Sequence, residues 1–353
     1  MTQRPTPTAP LPGSVPDRAA HYHLPVFQGI DSLRRDDRAV TPPGPRQVLV
    51  RMRAWSLNHR DLLVASDTYG RALVPDLTPL SDGAGEVVLT GPEVTRWTPG
   101  DRVVSVFMPH WQAGPANATR TAGALGGPAQ GVLARYVLFE EDAVVRAPSH
   151  LSHAEAATLP CAGVTAWHAL VAAGGLSAGR SVLTLGSGGV SVFALQFAAV
   201  SGARVLATSG SDTKLERLRA LGAAEGVNHA RTPDWGPLVA RLSGGGVDHV
   251  VEIGGGGTLP QSLAAVRAGG RISLVGFLAG GGGADLGQAI RKGVTLQGMF
   301  VGSRQMFQEM NRALELHRLH PVVDSVFPFE EAPAAYRHLA SGNHFGKVVI
   351  VDE

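Results

Sequence analysis

The chain has 353 residues, 44% of them apolar and 17% charged, so it can bury cores of good size and is long enough for two domains. Its 31 basic and 29 acidic residues are spread without a basic run or aromatic–basic interleaving, which argues against nucleic acid as a main partner. The single cysteine, Cys161, excludes an internal disulfide and a four-cysteine zinc knuckle, and no run of about 18 apolar residues calls for a membrane. A soluble cytoplasmic protein is expected.

Residues 1–18 (MTQRPTPTAPLPGSVPDR) are too polar and proline-rich to pack and read as a disordered tail. From Tyr22 short strands separated by turns predict a small, mostly β domain: 47–54 after the PPGP turn, then 83–88, 101–107 and 133–138. The stretch 109–131 has no periodicity, and reads either as a lid or binding loop or as plain disorder. After Ser152 the apolar spacing turns helical, interrupted by Pro160.

Residues 181–214 carry the strongest signal. A strand over 181–185, a turn with Gly186, Gly188 and Gly189, a helix stopping at Gly202 and a second strand over 204–209 make a βαβ unit. Glycines at that corner let the backbone approach a dinucleotide pyrophosphate, and the helix N-terminus offers unsatisfied N–H groups to it. The fingerprint's last glycine is replaced by Ser191, small enough for close packing and able to add a donor near the phosphates.

Alternation of strands and helices then runs through 213–221, 226–228, 238–242, 247–253, 259–266, 271–275 and 294–301. That gives about six parallel strands, the number of a doubly wound dinucleotide fold. A helix over 304–319 and the apolar strand GKVVIV predict that the C-terminal piece returns to the first domain, leaving a cleft between the two.

The segments SLNHRDLL (56–63), PLSDGAGEV (79–87), GDRV (100–103), LPCAGVTAW (159–167), GSGGVS (186–191) and HFGKVVI (344–350) occur in one order. In this the chain resembles the medium-chain dehydrogenase/reductase superfamily, and within it the zinc-independent, quinone oxidoreductase-like branch. The resemblance implies an α/β fold: a doubly wound parallel-sheet (Rossmann) domain at 158–302, inserted in a mostly β GroES-like catalytic domain at 19–157 and 303–353. It also implies a homodimer, often joined through the last strands of the nucleotide domain.

Zinc-using members carry Cys, His and Cys where this chain has Asn58, Ser81 and Cys161, a poor ligand set, so no zinc is expected. His59 and Asp82 could join Cys161 in a rebuilt site, but His59 is one residue off the ligand position and Asp82 serves equally as a hydrogen-bonding carboxylate. Cys161 reads as a small buried residue rather than a nucleophile.

No acid stands at the tip of the second strand, where an NAD-selective site holds the ribose hydroxyls; Asp212, three residues on, is the only one near. Ser209, Ser211, Lys214 and His229 favour NADPH, Lys214 and His229 by resemblance. The resemblance further places Asn58, Asp61 and Ser81 on the substrate side of the cleft and the Thr165 hydroxyl against the nicotinamide. Gly189, with Val190 after it, lies in the glycine turn, and Gly254 follows a strand end on the ligand-binding edge of the sheet; the resemblance sets Val275, Gly276, Phe277, Phe300 and Val301 along the nicotinamide. Gly346 and Lys347 would close over the cofactor. Tyr69 is a proton donor, a ring platform or a loop aromatic. The expected reaction moves hydride from NADPH to a small-molecule carbonyl, enone or quinone. An alcohol dehydrogenase with atypical or no zinc, and an NADPH-binding structural or regulatory protein, are the alternatives.

Overall fold

The computed structural model describes residues 15–280 and 282–352. Two main sheets carry the chain. In the first, strand Gln47–Ser56 alternates Val, Val and Met against Arg, and lies between Asp82–Thr90 and Lys347–Val351; Tyr136–Glu140 also pairs with it. The row continues through Arg102–Ser105 to Val144–Arg146 on one side and Val323–Pro328 on the other. Trp55 anchors its core: the ring lies 4.9 Å from Phe329, and the indole N–H donates to the Val132 carbonyl.

The second sheet has six strands, all parallel, in the order Ala223–Asn228, Arg204–Ser209, Ser181–Leu185, Val247–Glu252, Val266–Leu274, Thr295–Gly298. Strand order reverses between Ser181–Leu185 and Val247–Glu252, and a doubly wound sheet binds ligands beyond the carboxyl ends at that point. The fold is the α/β arrangement implied by the sequence, a parallel dinucleotide-type sheet with a GroES-like β unit.

Ser191 explains the missing third glycine. It is fully buried, and its hydroxyl donates to the Leu185 carbonyl at 2.5 Å, tying helix Gly189–Val200 to the strand before it. Its donor is therefore turned to the strand and not to the phosphate side.

The tail expected at 1–18 lies outside the described residues up to 14, but its end packs: Val15 is 7% exposed and Arg18–His23 pairs with Arg34–Ala39. Those strands were missed because RAAHYH and RRDDRA show no clean apolar alternation. The 109–131 stretch has almost no regular structure yet is tightly held, with Trp111 and Ala124 buried and the Gly131 N–H on the Thr78 carbonyl. Among the described residues no helix is long and apolar enough to cross a membrane.

His249 sits inside the parallel sheet, its ring nitrogen 2.8 Å from the Ser273 hydroxyl. Burial, followed by the Arg271 charge, pushes its pKa down to about 4. Unfolded histidine takes a proton near pH 6.5 that folded His249 refuses until near 4, so stability present above 6.5 is lost as pH falls toward 4. Melting curves from pH 7 to 4.5 should therefore show a shallower loss for His249→Gln than for the parent chain.

Candidate active site

The glycine turn is shaped to be approached. Gly186 has a φ of 72°, and its N–H donates to the Thr208 carbonyl at 2.8 Å. Gly188 caps helix Gly189–Val200 with no side-chain bond to the first-turn N–H groups, and a Cβ there would meet nothing within 4 Å. Open space in front of free helix N–H groups fits a pyrophosphate. Val190 follows, half-buried, in the first turn of that helix. Gly189 is closed from the other side, since a Cβ there would stand 2.6 Å from Lys347 Cδ. Gly346 donates to the Ser187 carbonyl, so the C-terminal segment does lie against the turn. Across the switch point buried Glu252 accepts from Gly254 N, Gly255 N and the Thr258 hydroxyl, ordering the second glycine loop. That carboxylate was not singled out in the sequence, where it reads only as a polar strand end.

At the other end of the cradle, Ser209 is buried and the Ser211 side chain accepts from Lys214 N, capping helix Asp212–Ala220. The Lys214 ammonium does not stand free: it donates to the carbonyls of Gly342 and His344 at 3.2 and 3.0 Å. Asp212 is drawn aside by the Asn228 amide and by the Arg231 guanidinium. The His229 ring lies beside Gly210, whose Cβ would be 3.2 Å from it. Arg231 was missed because it follows the third strand; the usable signal is a cation just past His229.

Asn58, Asp61, Ser81, Asp82, Cys161 and Lys347 meet in one buried corner. Asn58 is the N-cap of helix His59–Ala65, and its N–H donates to Asp61 Oδ2 at 2.7 Å, half of a capping box. The Ser81 hydroxyl donates to Asp82 Oδ1 at 2.6 Å, and Cys161 N to Asp82 Oδ2 at 3.2 Å. Lys347, 3% exposed, reaches in from the last strand and donates to the Leu57 carbonyl at 2.5 Å and to Asn58 Oδ1. The Asn58 amide nitrogen leans toward Asp82 but closes no hydrogen bond.

Burial pushes Asp61 up to about 6, with Arg60 as the largest opposing charge; it raises Asp82 too, against the Lys347 charge. Burial and then the Asp82 charge push the Cys161 thiol far above its usual range, so it is protonated at neutral pH. Ser81 and Asp61 are fully buried, and each has its hydrogen bonds inside the corner.

The donor set does not suit zinc. It offers an amide and a hydroxyl beside the Cys161 sulfur and the Asp82 carboxylate, with the Lys347 ammonium already among them. His59 is not among the hydrogen-bonded groups of the corner, and among the described residues no three His, Cys, Asp or Glu side chains gather as a metal site.

Arg60 carries the cleft's most unusual environment. It is 8% exposed; its guanidinium donates to the carbonyls of Leu125 and Gly126, each at 3.1 Å, and to Asp61 at 3.3 Å. The guanidinium carbon rests 4.7 Å from the Tyr69 ring centre and 4.9 Å from that of Phe107. Tyr69 is thus a platform for Arg60. Phe107 meets Phe300 edge-on at 6.0 Å, and Arg71 lies 4.3 Å over Phe300. Nothing in the sequence marked Arg60, because an arginine in the first turn of a helix reads as a solvated charge.

The helix bearing Cys161 and Thr165 is wound as π-helix over Leu159–Gly163, a distortion favoured by Pro160. The Thr165 hydroxyl donates back to the Cys161 carbonyl at 2.6 Å, so toward the cleft it is left as an acceptor. Val275 N donates to the Glu252 carbonyl, and Gly276 packs on the Ile253 carbonyl where a Cβ would not fit. Val301 is held by His168 Nδ1 at its carbonyl. Phe277 is 86% exposed and lies beside the second glycine loop, its Cδ1 3.3 Å from where a Cβ on Gly255 would stand.

The family description "Zinc-binding dehydrogenase" matches residues 189–316, and "Alcohol dehydrogenase GroES-like domain" matches 44–149. A zinc-type alcohol dehydrogenase-like protein of Schizosaccharomyces pombe is 41% identical over 92% of this chain and 96% of its own length. A putative alcohol dehydrogenase from Sinorhizobium meliloti superposes with a TM-score of 0.90 at 42% identity, over 96% of this chain and 99% of that one. The 2-octenoyl-CoA carboxylase reductase CinF, solved with NADP and 2-octenoyl-CoA, has a TM-score of 0.84 at 26% identity over 96% of this chain and 88% of its own. The chain belongs to the medium-chain dehydrogenase/reductase superfamily and is an oxidoreductase of that type.

Proposed function

We propose that the protein is a zinc-independent reductase that moves hydride from NADPH to a quinone or another α,β-unsaturated carbonyl. The observation that carries this reading is the buried ammonium of Lys347 on Asn58, in the corner where zinc-using relatives would hold their metal. Without a Lewis acid, the accessible acceptors are those that delocalise the incoming charge onto a conjugated oxygen. When bound, NADPH supplies the hydride. Gly186, Gly188 and Gly189 hold its pyrophosphate; Thr165, Val275, Gly276, Phe300 and Val301 line the reacting end and exclude water. CinF, solved with NADP and an enoyl thioester, lends support, whereas the names of the two closer relatives favour an alcohol substrate.

Stopped-flow oxidation of NADPH against a panel of quinones, enones and simple aldehydes, with alcohol oxidation run in parallel, tests the proposal. Turnover confined to alcohols and simple aldehydes would overturn it in favour of a dehydrogenase with unorthodox metal ligands. Binding of NADPH without oxidation across the panel would favour a structural or regulatory role.

For the choice of nicotinamide, the basic side chains Lys214, His229 and Arg231 around Ser209 and Ser211 favour a 2′-phosphate. Arg231 is the one able to leave its present partner, an exposed Asp212, at little cost. Arg231→Ala should weaken NADPH binding by about tenfold and leave NADH binding unchanged, read by quenching of protein fluorescence. A homodimer is part of the proposal: Thr295–Gly298 is the open edge of the parallel sheet, and Leu286 and Ile290 of the helix before it are exposed. Sedimentation equilibrium giving a single chain mass would sink that part.

A further inference from the structure

We propose that Arg60 is the group that receives the negative charge of the reacting substrate, in effect an oxyanion site made from one buried guanidinium. This deepens the reading of the reaction given above and rests on it.

Two observations point to a ligand. Arg60 is more than nine-tenths buried, yet its Nε–H has no hydrogen-bond partner, while the Nη groups are spent on Leu125, Gly126 and Asp61. A buried donor left empty carries an uncompensated desolvation cost, larger on a charged group, so an occupant that fills it is favoured. The second observation is the surroundings: the Tyr69 and Phe107 rings lie 4.7 and 4.9 Å from the guanidinium carbon, and Phe107 meets Phe300 edge-on.

A structural role alone explains the Nη bonds, which pin the 125–126 turn to the helix start. It does not explain the empty Nε. Nor does Asp61 neutralise the site fully: the capping box holds that carboxylate on the Asn58 N–H and away from the cleft. A permanent cation with one free donor, floored by aromatic rings, suits a flat conjugated carbonyl with its oxygen on Nε and its π-system against Phe107 and Phe300.

The chemistry balances. Hydride forms a C–H bond at the β-carbon, the alkene pair shifts to the α-carbon–carbonyl bond, and the carbonyl pair moves onto oxygen, giving an enolate beside Arg60. One proton from water, delivered at the α-carbon, completes the saturated carbonyl; the acceptor gains two electrons and two hydrogens, and the nicotinamide is left oxidised. Arg60 meets a full charge only after hydride has moved, so its contribution belongs to the transition state.

The test uses 4-nitrophenol, whose phenolate is a stable conjugated oxyanion with its own absorbance band. Bound to the full chain saturated with NADP, it should ionise about one pH unit or more lower than in solution. Arg60→Met and Arg60→Gln should abolish that shift, and each should lower kcat for an enone by about 100-fold with the affinity for NADPH unchanged. Gln is neutral and polar, its amide ending where Nε stood, so it removes the charge and keeps the experiment readable where Met fails to fold, as judged by circular dichroism. An undiminished shift in either folded variant, or no shift in the parent chain, overturns the proposal. The phenolate readout needs no turnover, so it stands apart from failure of the reductase reading itself.

Discussion

Gly188→Val should abolish dinucleotide binding while leaving the melting temperature within a degree or two of the parent. Gly188 has φ −78° and ψ 178°, a conformation any L residue adopts, and its Cβ would enter space with no atom within 4 Å. The fold therefore loses nothing, while the side chain fills the volume that a phosphate must share with the helix N–H groups. Affinity for NADPH and NADH alike should fall at least about 100-fold, on the scale of several charge-assisted hydrogen bonds lost together. Equilibrium dialysis checks the affinity and calorimetry the stability. Unchanged binding would mean that the cofactor does not lie on this turn. Gly189→Ala makes the contrast: it loses stability instead, because its Cβ must displace the Lys347 stem.

The second large effect belongs to that lysine. Lys347→Met should destabilise the chain by about 3–5 kcal/mol, because Asp82 would be left buried without the charge that most opposes its burial, while Asp61 keeps Arg60. The ammonium also joins two parts of the molecule. Its stem lies against Gly189 at the start of the nucleotide helix, and its head lies on Leu57 and Asn58 at the start of the catalytic helix. Loss of stability should thus come with loss of NADPH affinity. The double variant Lys347→Met, Asp82→Asn should recover part of the stability, since neutralising the orphaned carboxylate removes most of the penalty. Additive losses in urea denaturation would show that Lys347 and Asp82 do not act as a pair.

How far the sequence could be read depended on whether a function was local. The 181–209 unit was legible to the residue because strand, glycine turn and helix each leave their mark within about thirty positions. Asn58, Ser81 and Cys161 were legible as a poor ligand set, since residue types alone decide that. The cation that stands in the same corner was not legible: Lys347 is 289 positions from Asn58 and enters from the last strand, a meeting made by the sheet pairing of Lys347–Val351 with Gln47–Ser56. It was expected over the cofactor, and its stem does pass the glycine turn, but the charge goes deeper.

Arg60 was invisible for a similar reason. Its burial comes from the carbonyls of the 125–126 turn and the rings of Tyr69 and Phe107, all distant in sequence and on segments with little periodicity. Phe277, expected along the nicotinamide, is largely exposed beside Gly255. Lys214 was placed at the right end of the cradle, yet its ammonium answers the carbonyls of Gly342 and His344. Position along a strand locates the backbone, and the partners of a charged side chain are then decided by whichever segment folds over it.

The central claim is that a protein cation, and not a metal, occupies the Asn58–Ser81–Cys161 corner during turnover. The most direct measurement is elemental analysis of the purified protein, combined with NADPH-driven reduction of an enone before and after dialysis against a strong chelator. The account predicts zinc far below one equivalent per chain and a rate unchanged by chelation. One equivalent of zinc, with activity lost on chelation and restored by adding the metal back, would contradict it.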